Sequence, residues 1–303
     1  MGPVKHDMID EEIINIVRSL VGQGAIITVL REGSRVADGT SIFAVRDYPF
    51  ECVMLLSPVD YPLVVAESSD RTREFVDAIG LTLSSAVLQP IAEGWQDERS
   101  YALLPYRKPV SQQRLLRRYQ ERLLTPGILD WLARVATKTD DRRDATGDLP
   151  TYRTNLAALA ATSGIGSEIS DAVARAEQSL VSEMVRPWIM PMHGDLWSGN
   201  ILRAPDRSGF LFSIIDWRGS TITGFPIYDL VRFAQSYRLS PRVLGKELAR
   251  HAGILGCSKE ATLVHLLAAL GYYAVNRGEM PLENFVLMCR RSFAAHRAAL
   301  AAN

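Results

Sequence analysis

The chain has 303 residues, 47% of them hydrophobic, and its 34 basic side chains balance 34 acidic ones. That length allows a sizeable core in two domains or one large one, and a net charge of zero argues against a general nucleic-acid binder. No apolar run reaches the roughly 18 residues of a membrane span, and Met1 to Arg18 is too acidic and polar for a signal peptide, so a cytoplasmic, soluble protein with no membrane partner is expected. The charge is unevenly spread: residues 1 to 105 carry sixteen acidic and eight basic side chains. Cys52, Cys257 and Cys289 are scattered, with no histidine near them, and read as buried thiols rather than disulfides or metal ligands.

In chain order, Ile9, Ile13, Ile16, Val17 and Leu20 form a helical stripe over residues 8 to 21. Ala25 to Leu30 and Thr40 to Val45 are strand-like on either side of the polar, glycine-containing Arg31 to Gly39, which together predict a hairpin. Cys52 to Leu56 and Leu63 to Ala66 are candidate strands. Ser68-Ser69-Asp70-Arg71 then reads as the capped start of a helix over Thr72 to Leu83. Ala86 to Ile91 and Tyr101 to Leu104 would close a small antiparallel sheet. From Ser111 on, Leu115, Leu116, Tyr119, Leu123 and Leu124 recur at helical spacing, continued by Ile128 to Val135. Thr137 to Pro150 is polar enough to be an exposed loop. Helical patterns return over 154–161, 167–185, 241–252, 259–276 and 281–302.

The densest chemical signal is His193-Gly194-Asp195-Leu196-Trp197-Ser198-Gly199-Asn200-Ile201-Leu202, followed by the apolar run Phe210 to Ile215 that ends in Asp216. It fits the kinase catalytic-loop pattern H-x-D-L-x-x-x-N, in which the aspartate receives the acceptor hydroxyl proton and the asparagine holds magnesium. Asp195 and Asn200 occupy those places. Ile201-Leu202, the turn 205–209 and Phe210 to Ile215 predict a hairpin that delivers Asp216 near the loop, where a second carboxylate suits magnesium. His6, His251, His265 and His296 show no metal-ligand spacing.

HGDLWSGNIL, then IIDW, then Gly224-Phe225-Pro226-Ile227-Tyr228-Asp229-Leu230 resemble the aminoglycoside phosphotransferase and choline kinase superfamily; the HGDLWSGN wording is also similar to fructosamine kinases. The match is specific over residues 190 to 232. The resemblance implies an α+β, bilobal protein-kinase-like fold, with an N-terminal nucleotide-binding lobe of small antiparallel sheet (1–106) and a mainly α-helical catalytic and substrate-binding lobe (107–303). It implies a Mg2+-dependent small-molecule kinase using ATP or GTP, with Asp195 as base, Asn200 and Asp216 as metal ligands, Asp229 as a buried anchor and His193 bracing the loop. Within the first lobe, Gly33, Ser34 and Arg35 are candidates for a phosphate-covering loop, and Leu104-Pro105-Tyr106 for a hinge that meets the adenine.

Kinases hold the α and β phosphates with a strand lysine paired to a helix glutamate. No lysine occurs between Lys5 and Lys108. Glu74 stands where the partner glutamate belongs, while Val65, Ala66 and Glu67 occupy the expected third-strand position. Arg46 or Arg35 would then bind the phosphates, since guanidinium suits that geometry. The alternative function is a pseudokinase-like binding module with weak turnover. Trp217-Arg218-Gly219-Ser220-Thr221 runs toward Asp229 with no long activation segment, so no protein substrate is expected. From Gly224 onward ten basic side chains face five acidic ones, a sign that disfavours polycations and favours a small neutral or anionic hydroxylated acceptor. Tyr228, Arg232, Tyr237, Tyr272, Tyr273 and Asn276 are the helix positions open to lining its cleft.

Overall fold

The computed structural model describes residues 11–22, 24–34, 39–46, 51–138, 148–204, 210–278 and 280–302. The chain divides into two compact units, one made of Met1–Arg73, Val87–Lys108 and Ile215–Arg218, the other of Glu74–Ala86, Pro109–Ile214 and Gly219–Asn303.

The first unit opens with α1 (Glu11–Val21) and a hairpin of β1 (Ile26–Arg31) and β2 (Ser41–Arg46), followed by β3 (Cys52–Leu56). The chain then enters α2 (Val64–Ile79) and the single turn α3 (Leu81–Ser84) before returning as β4 (Ala92–Gln96) and β5 (Arg99–Pro105). The five strands form one sheet in the order β1-β2-β3-β5-β4, each neighbour antiparallel. Strand alternation puts Cys52, Met54 and Leu56 on one face, where with Phe43, Val45 and Leu103 they meet Val17 and Val21 of α1. These apolar side chains are what hold the helix on the sheet.

Leu63 to Ala66 is not the strand the apolar run predicts, for it begins α2. Two buried serines from elsewhere in the unit decide this. Ser57 Oγ accepts the Val65 N–H at 3.0 Å, Ser100 Oγ accepts the Ala66 N–H at 3.1 Å, and the two hydroxyls meet at 2.7 Å. Two helix-start donors that need a partner thus find one in side chains outside the helix, 8 and 34 residues away. The expected third-strand position at Val65, Ala66 and Glu67 falls on this helix, and the third strand is β3. The expected strand Ala86 to Ile91 lies just ahead of β4.

The second unit takes over at β6 (Lys108–Pro109) and continues with α4 (Arg114–Lys138), α5 (Leu149–Ala160), α6 (Ser167–Val181), β7 (Met190–Met192), β8 (Ile201–Arg203), β9 (Phe212–Ile214), β10 (Thr221–Gly224), α7 (Tyr228–Ser236), α8 (Pro241–Leu255), α9 (Thr262–Val275) and α10 (Leu282–Ala301). In α4 the buried face comes from Leu124, Ile128, Leu129, Trp131 and Leu132, whereas Leu115, Leu116, Tyr119 and Leu123 are exposed. The helix is as expected, but the first half of its apolar stripe is not core. Most of the expected loop 137–150 lies outside the described residues. Helix α9 is apolar almost all round and is accordingly enclosed by its neighbours. Helix α8 shows its signals in the sequence: Ser240 caps it by accepting the Val243 N–H, Pro241 starts it, and Gly256 ends it at φ +64°. Cys52 and Cys289 are buried and Cys257 is half-buried, all as free thiols. Among the described residues, no helix is long and apolar enough to cross a membrane.

Candidate active site

Strand β7, paired antiparallel with β10, leads directly into His193-Gly194-Asp195. Two helices hold the backbone of this loop. Asp229, in the first turn of α7, accepts the His193 N–H at 2.6 Å on one carboxylate oxygen and the Gly194 N–H at 2.9 Å on the other. Tyr273 of α9 donates its hydroxyl to the Gly194 carbonyl at 2.8 Å. Within the loop, the Asp195 carbonyl accepts the Trp197 N–H at 3.0 Å and the Asn200 side-chain amide at 3.0 Å. Two neighbours then fix Ser198, whose N–H donates to Ser236 Oγ of α7 at 2.7 Å and whose Oγ accepts from Arg117 of α4 at 3.2 Å.

Burial sets the protonation of the supports. Desolvation pushes the Asp229 carboxyl up from its ordinary value, against the pull of His193 and the two backbone N–H groups. The Tyr228 and Tyr273 phenols, whose rings lie 4.9 Å apart and tilted at 38°, are raised by burial and stay neutral donors. His193 is fully buried, and its Nδ1 accepts the Asp195 N–H at 3.2 Å, which places the proton of a neutral ring on Nε2. Ile227, just ahead of α7, sits at φ +77°, a strained conformation for a β-branched residue. The packing around Phe225, Tyr228 and Leu230, all buried, holds it there.

Asp195 itself is half exposed, and one of its oxygens is engaged. Arg232, one turn beyond Asp229 on α7, donates Nε and Nη2 to Asp195 Oδ1 at 3.1 and 3.0 Å. No described residue pairs with Oδ2. The result is a carboxylate fixed in direction with one oxygen open.

The structure thus brings His193, Asp195, Asn200 and Asp229 together in the second unit. Asp216 belongs to the first unit and is exposed, with φ +66°. It follows Ile214 by two residues, and Ile214 is the register partner of Ile201, the neighbour of Asn200. Gly33 and Ser34 are exposed after β1, where the Ser34 N–H donates to the Gly39 carbonyl at 2.9 Å. Arg35 lies outside the described residues. Arg46 is exposed at the end of β2, 3.8 Å from Glu51, and Glu74 is exposed on α2. Leu104 pairs with Val53 across β5 and β3; the Tyr106 N–H donates to the Glu51 carbonyl at 3.0 Å, and its own carbonyl accepts from Arg107.

Residues 53–260 match the sequence profile of the phosphotransferase enzyme family, APH. The chain belongs to that family. It is therefore a small-molecule kinase, a phosphotransferase. No curated protein sequence matches it significantly. Among solved structures, it is similar to the GDP complex of wild-type aminoglycoside 2'-phosphotransferase-IIIa, at 12% identity and TM-score 0.56, covering 94% of this chain and 98% of that one. It is also similar to a thermostable mutant of aminoglycoside phosphotransferase APH(4)-Ia in its apo form, at 14% identity, TM-score 0.55 and coverage of 93% and 98%. The same enzyme in ternary complex with ADP and hygromycin B aligns at 16% identity, TM-score 0.53 and coverage of 94% and 97%. At these identities the likeness establishes the fold, a small antiparallel sheet joined to a mainly helical unit, as the sequence predicts.

Three contacts of the loop have little or no local sequence signal. Arg232 is one of six helix positions open to lining the cleft, and its spacing of three residues from Asp229 is the signal that both share one face of α7. Arg117 and Ser236, which fix Ser198, carry no local signal at all. Tyr273 supports the loop through its hydroxyl, and the buried Tyr228 packs against the Tyr273 ring.

Proposed function

We propose that the protein transfers the γ-phosphoryl group of ATP or GTP to a hydroxyl of a small neutral or anionic molecule, with Asp195 as general base. One observation carries this reading: Asp195 has one oxygen held by Arg232 and the other open, on a loop whose backbone is pinned by Asp229 and Tyr273. The acceptor hydroxyl donates to Asp195 Oδ2, its oxygen bonds to the γ-phosphorus, the bond from that phosphorus to the β–γ bridging oxygen breaks, and the nucleoside diphosphate leaves while the proton passes to Asp195. Preorganisation is the chain's main contribution, because the base needs no reorientation when the acceptor arrives. The alternative of a weakly active binding module is not favoured, since base and amide are both present and held.

Asn200 and Asp216 are the residues we assign to magnesium. Their donor set fits: the Asn200 Nδ2 donates to the Asp195 carbonyl, which leaves the amide oxygen as the free end, and amide and carboxylate oxygens are the hard ligands that magnesium takes. When bound, the ion would offset charge on the phosphates and orient them. His193 braces the loop as the resemblance implies, and its buried Nδ1 contact to the Asp195 N–H supports that role.

For the nucleotide, complexes of similar phosphotransferases with GDP and with ADP support either base. Gly33, Ser34 and the chain around Leu104 and Tyr106 remain our assignment for the nucleotide contacts, by their place in the strand unit, and Glu74 by its place in the sequence. With no lysine between Lys5 and Lys108, we assign the phosphate cation to Arg46 or Arg35.

The test is a mass-spectrometric screen of hydroxylated metabolites incubated with the protein, Mg2+ and ATP or GTP. A phosphorylated product formed by the wild type and lost in Asp195→Asn supports the reading. No nucleotide consumption with any acceptor, or equal activity in the variant, contradicts it.

A further inference from the structure

Arg232 carries more hydrogen-bonding capacity than Asp195 uses. A guanidinium has five N–H donors in a rigid planar fork and is charged at every accessible pH. Nε and one N–H of Nη2 go to Asp195 Oδ1, so three N–H groups have no partner among the described residues. The side chain is one-third exposed at 34%, open to a ligand yet fixed in direction by its contact with the carboxylate.

We propose that Arg232 is the receptor for an anionic group on the acceptor, so that the substrate class is a hydroxylated carboxylate or phosphate ester. The proposal rests on Asp195 being the base. Two features carry it. The free donors form the fork that carboxylate and phosphate oxygens match in pairs. The negative charge of Asp195 is offset at Oδ1, so an incoming anion does not meet a bare carboxylate, whereas a cationic acceptor whose hydroxyl reached Oδ2 would be held against a fixed positive charge. A second guanidinium, Arg117, reaches the same loop at Ser198, but its charge is offset by Glu121 at 2.7 Å, which leaves Arg232 as the cation facing the acceptor.

The geometry also limits the acceptor's shape. One carboxylate links the two recognition points, since its Oδ2 takes the hydroxyl and its Oδ1 holds the guanidinium that takes the anion. Hydroxyl and anionic group therefore belong to one small molecule that reaches from Asp195 Oδ2 to the free donors of Arg232, as in a hydroxy acid or a polyol phosphate. Helix α7 thus anchors the loop through Asp229, aims the base through Arg232, and selects the acceptor with that same side chain.

The experiment is calorimetric titration of the full chain, without nucleotide and at low ionic strength, with four probes: glycerate, glycerol 3-phosphate, glycerol and ethanolamine. Wild type is expected to bind at least one of the two anions and neither of the others, and which anion binds separates carboxylate from phosphate recognition. Arg232→Gln is expected to weaken that binding by about tenfold or more, with Arg232→Lys intermediate because it keeps the charge without the fork. Undiminished anion binding in a folded Arg232→Gln, equal binding of glycerol or ethanolamine, or no anion binding by the wild type overturns the proposal. A parallel arm adds Mg2+ and ATP or GTP. Probes that bind through Arg232 and are never phosphorylated count against the phosphotransfer reading and leave the anion site standing, whereas preferential phosphorylation of glycerol or ethanolamine removes the anion site and leaves phosphotransfer standing.

Discussion

Replacing Gly194 by Ala is the most informative single perturbation of the catalytic loop, because two independent penalties meet at one atom. Gly194 lies at φ +85°, where an L-residue is strained by roughly 1–2 kcal/mol. A Cβ there would also stand 2.6 Å from the Tyr273 hydroxyl and 2.8 Å from the Gly219 carbonyl oxygen. Neither neighbour yields easily, for Tyr273 is wedged among Tyr228 and Tyr272 and the second contact is backbone. Overpacking of this kind costs about 1–3 kcal/mol, so the variant should lose about 2–5 kcal/mol in urea unfolding followed by fluorescence and circular dichroism. Asp195 is the next residue, and displacing it by a few tenths of an ångström should lower kcat by about ten- to hundredfold. Tyr273→Phe alone should cost about 1 kcal/mol through the lost bond to the Gly194 carbonyl, yet less in the Gly194→Ala background, where it also relieves a clash. A loss below about 0.5 kcal/mol in Gly194→Ala, or strict additivity in the double variant, would refute the close-packed account of the loop.

Three further outcomes are expected. His265 and His296 are buried, with pKa values driven down to about 3 and about 4. Both are neutral in folded and unfolded chains above pH 6.5; below it the unfolded state takes protons that the folded state refuses, so stability falls with pH. At pH 5 the loss should be about 2 kcal/mol per histidine, read by urea unfolding at pH 7.5 and 5, and a pH-independent midpoint, or the same slope after His296→Leu, contradicts it. Ser57→Ala should destabilise the strand unit by about 1–3 kcal/mol, because the buried Val65 N–H at the start of α2 loses its acceptor; native-state hydrogen exchange at Val65 would show the site opening. Asn200→Ala should raise the Mg2+ concentration required for half-maximal turnover by about tenfold or more, and an unchanged requirement removes Asn200 from the metal site.

How far the sequence speaks depends on whether the deciding contacts are local. Asp195, Asn200 and their hairpin are legible because catalytic-loop spacing and strand alternation are short-range patterns, and α8 is legible because Ser240, Pro241 and Gly256 carry its boundaries. Leu63 to Ala66 misleads because its apolar run suits a strand, while the helix start is settled by Ser57 and Ser100, the latter 34 residues beyond Ala66. Leu115, Tyr119 and Leu123 mislead in another way: periodicity reports a helix face but not whether anything packs against it. The grip of Arg232 on Asp195 spans 37 residues and depends on how α7 docks, which no window of sequence contains.

The central claim, that Asp195 is the base of an active phosphotransferase, is tested most directly by comparing wild type and Asp195→Asn for both nucleotide affinity and single-turnover phosphoryl transfer to an acceptor found by the metabolite screen. The account predicts an unchanged Kd for the Mg2+–nucleotide complex and transfer slowed by about 100- to 10,000-fold, the contribution of a positioned general base. Equal single-turnover rates in the two proteins would contradict it.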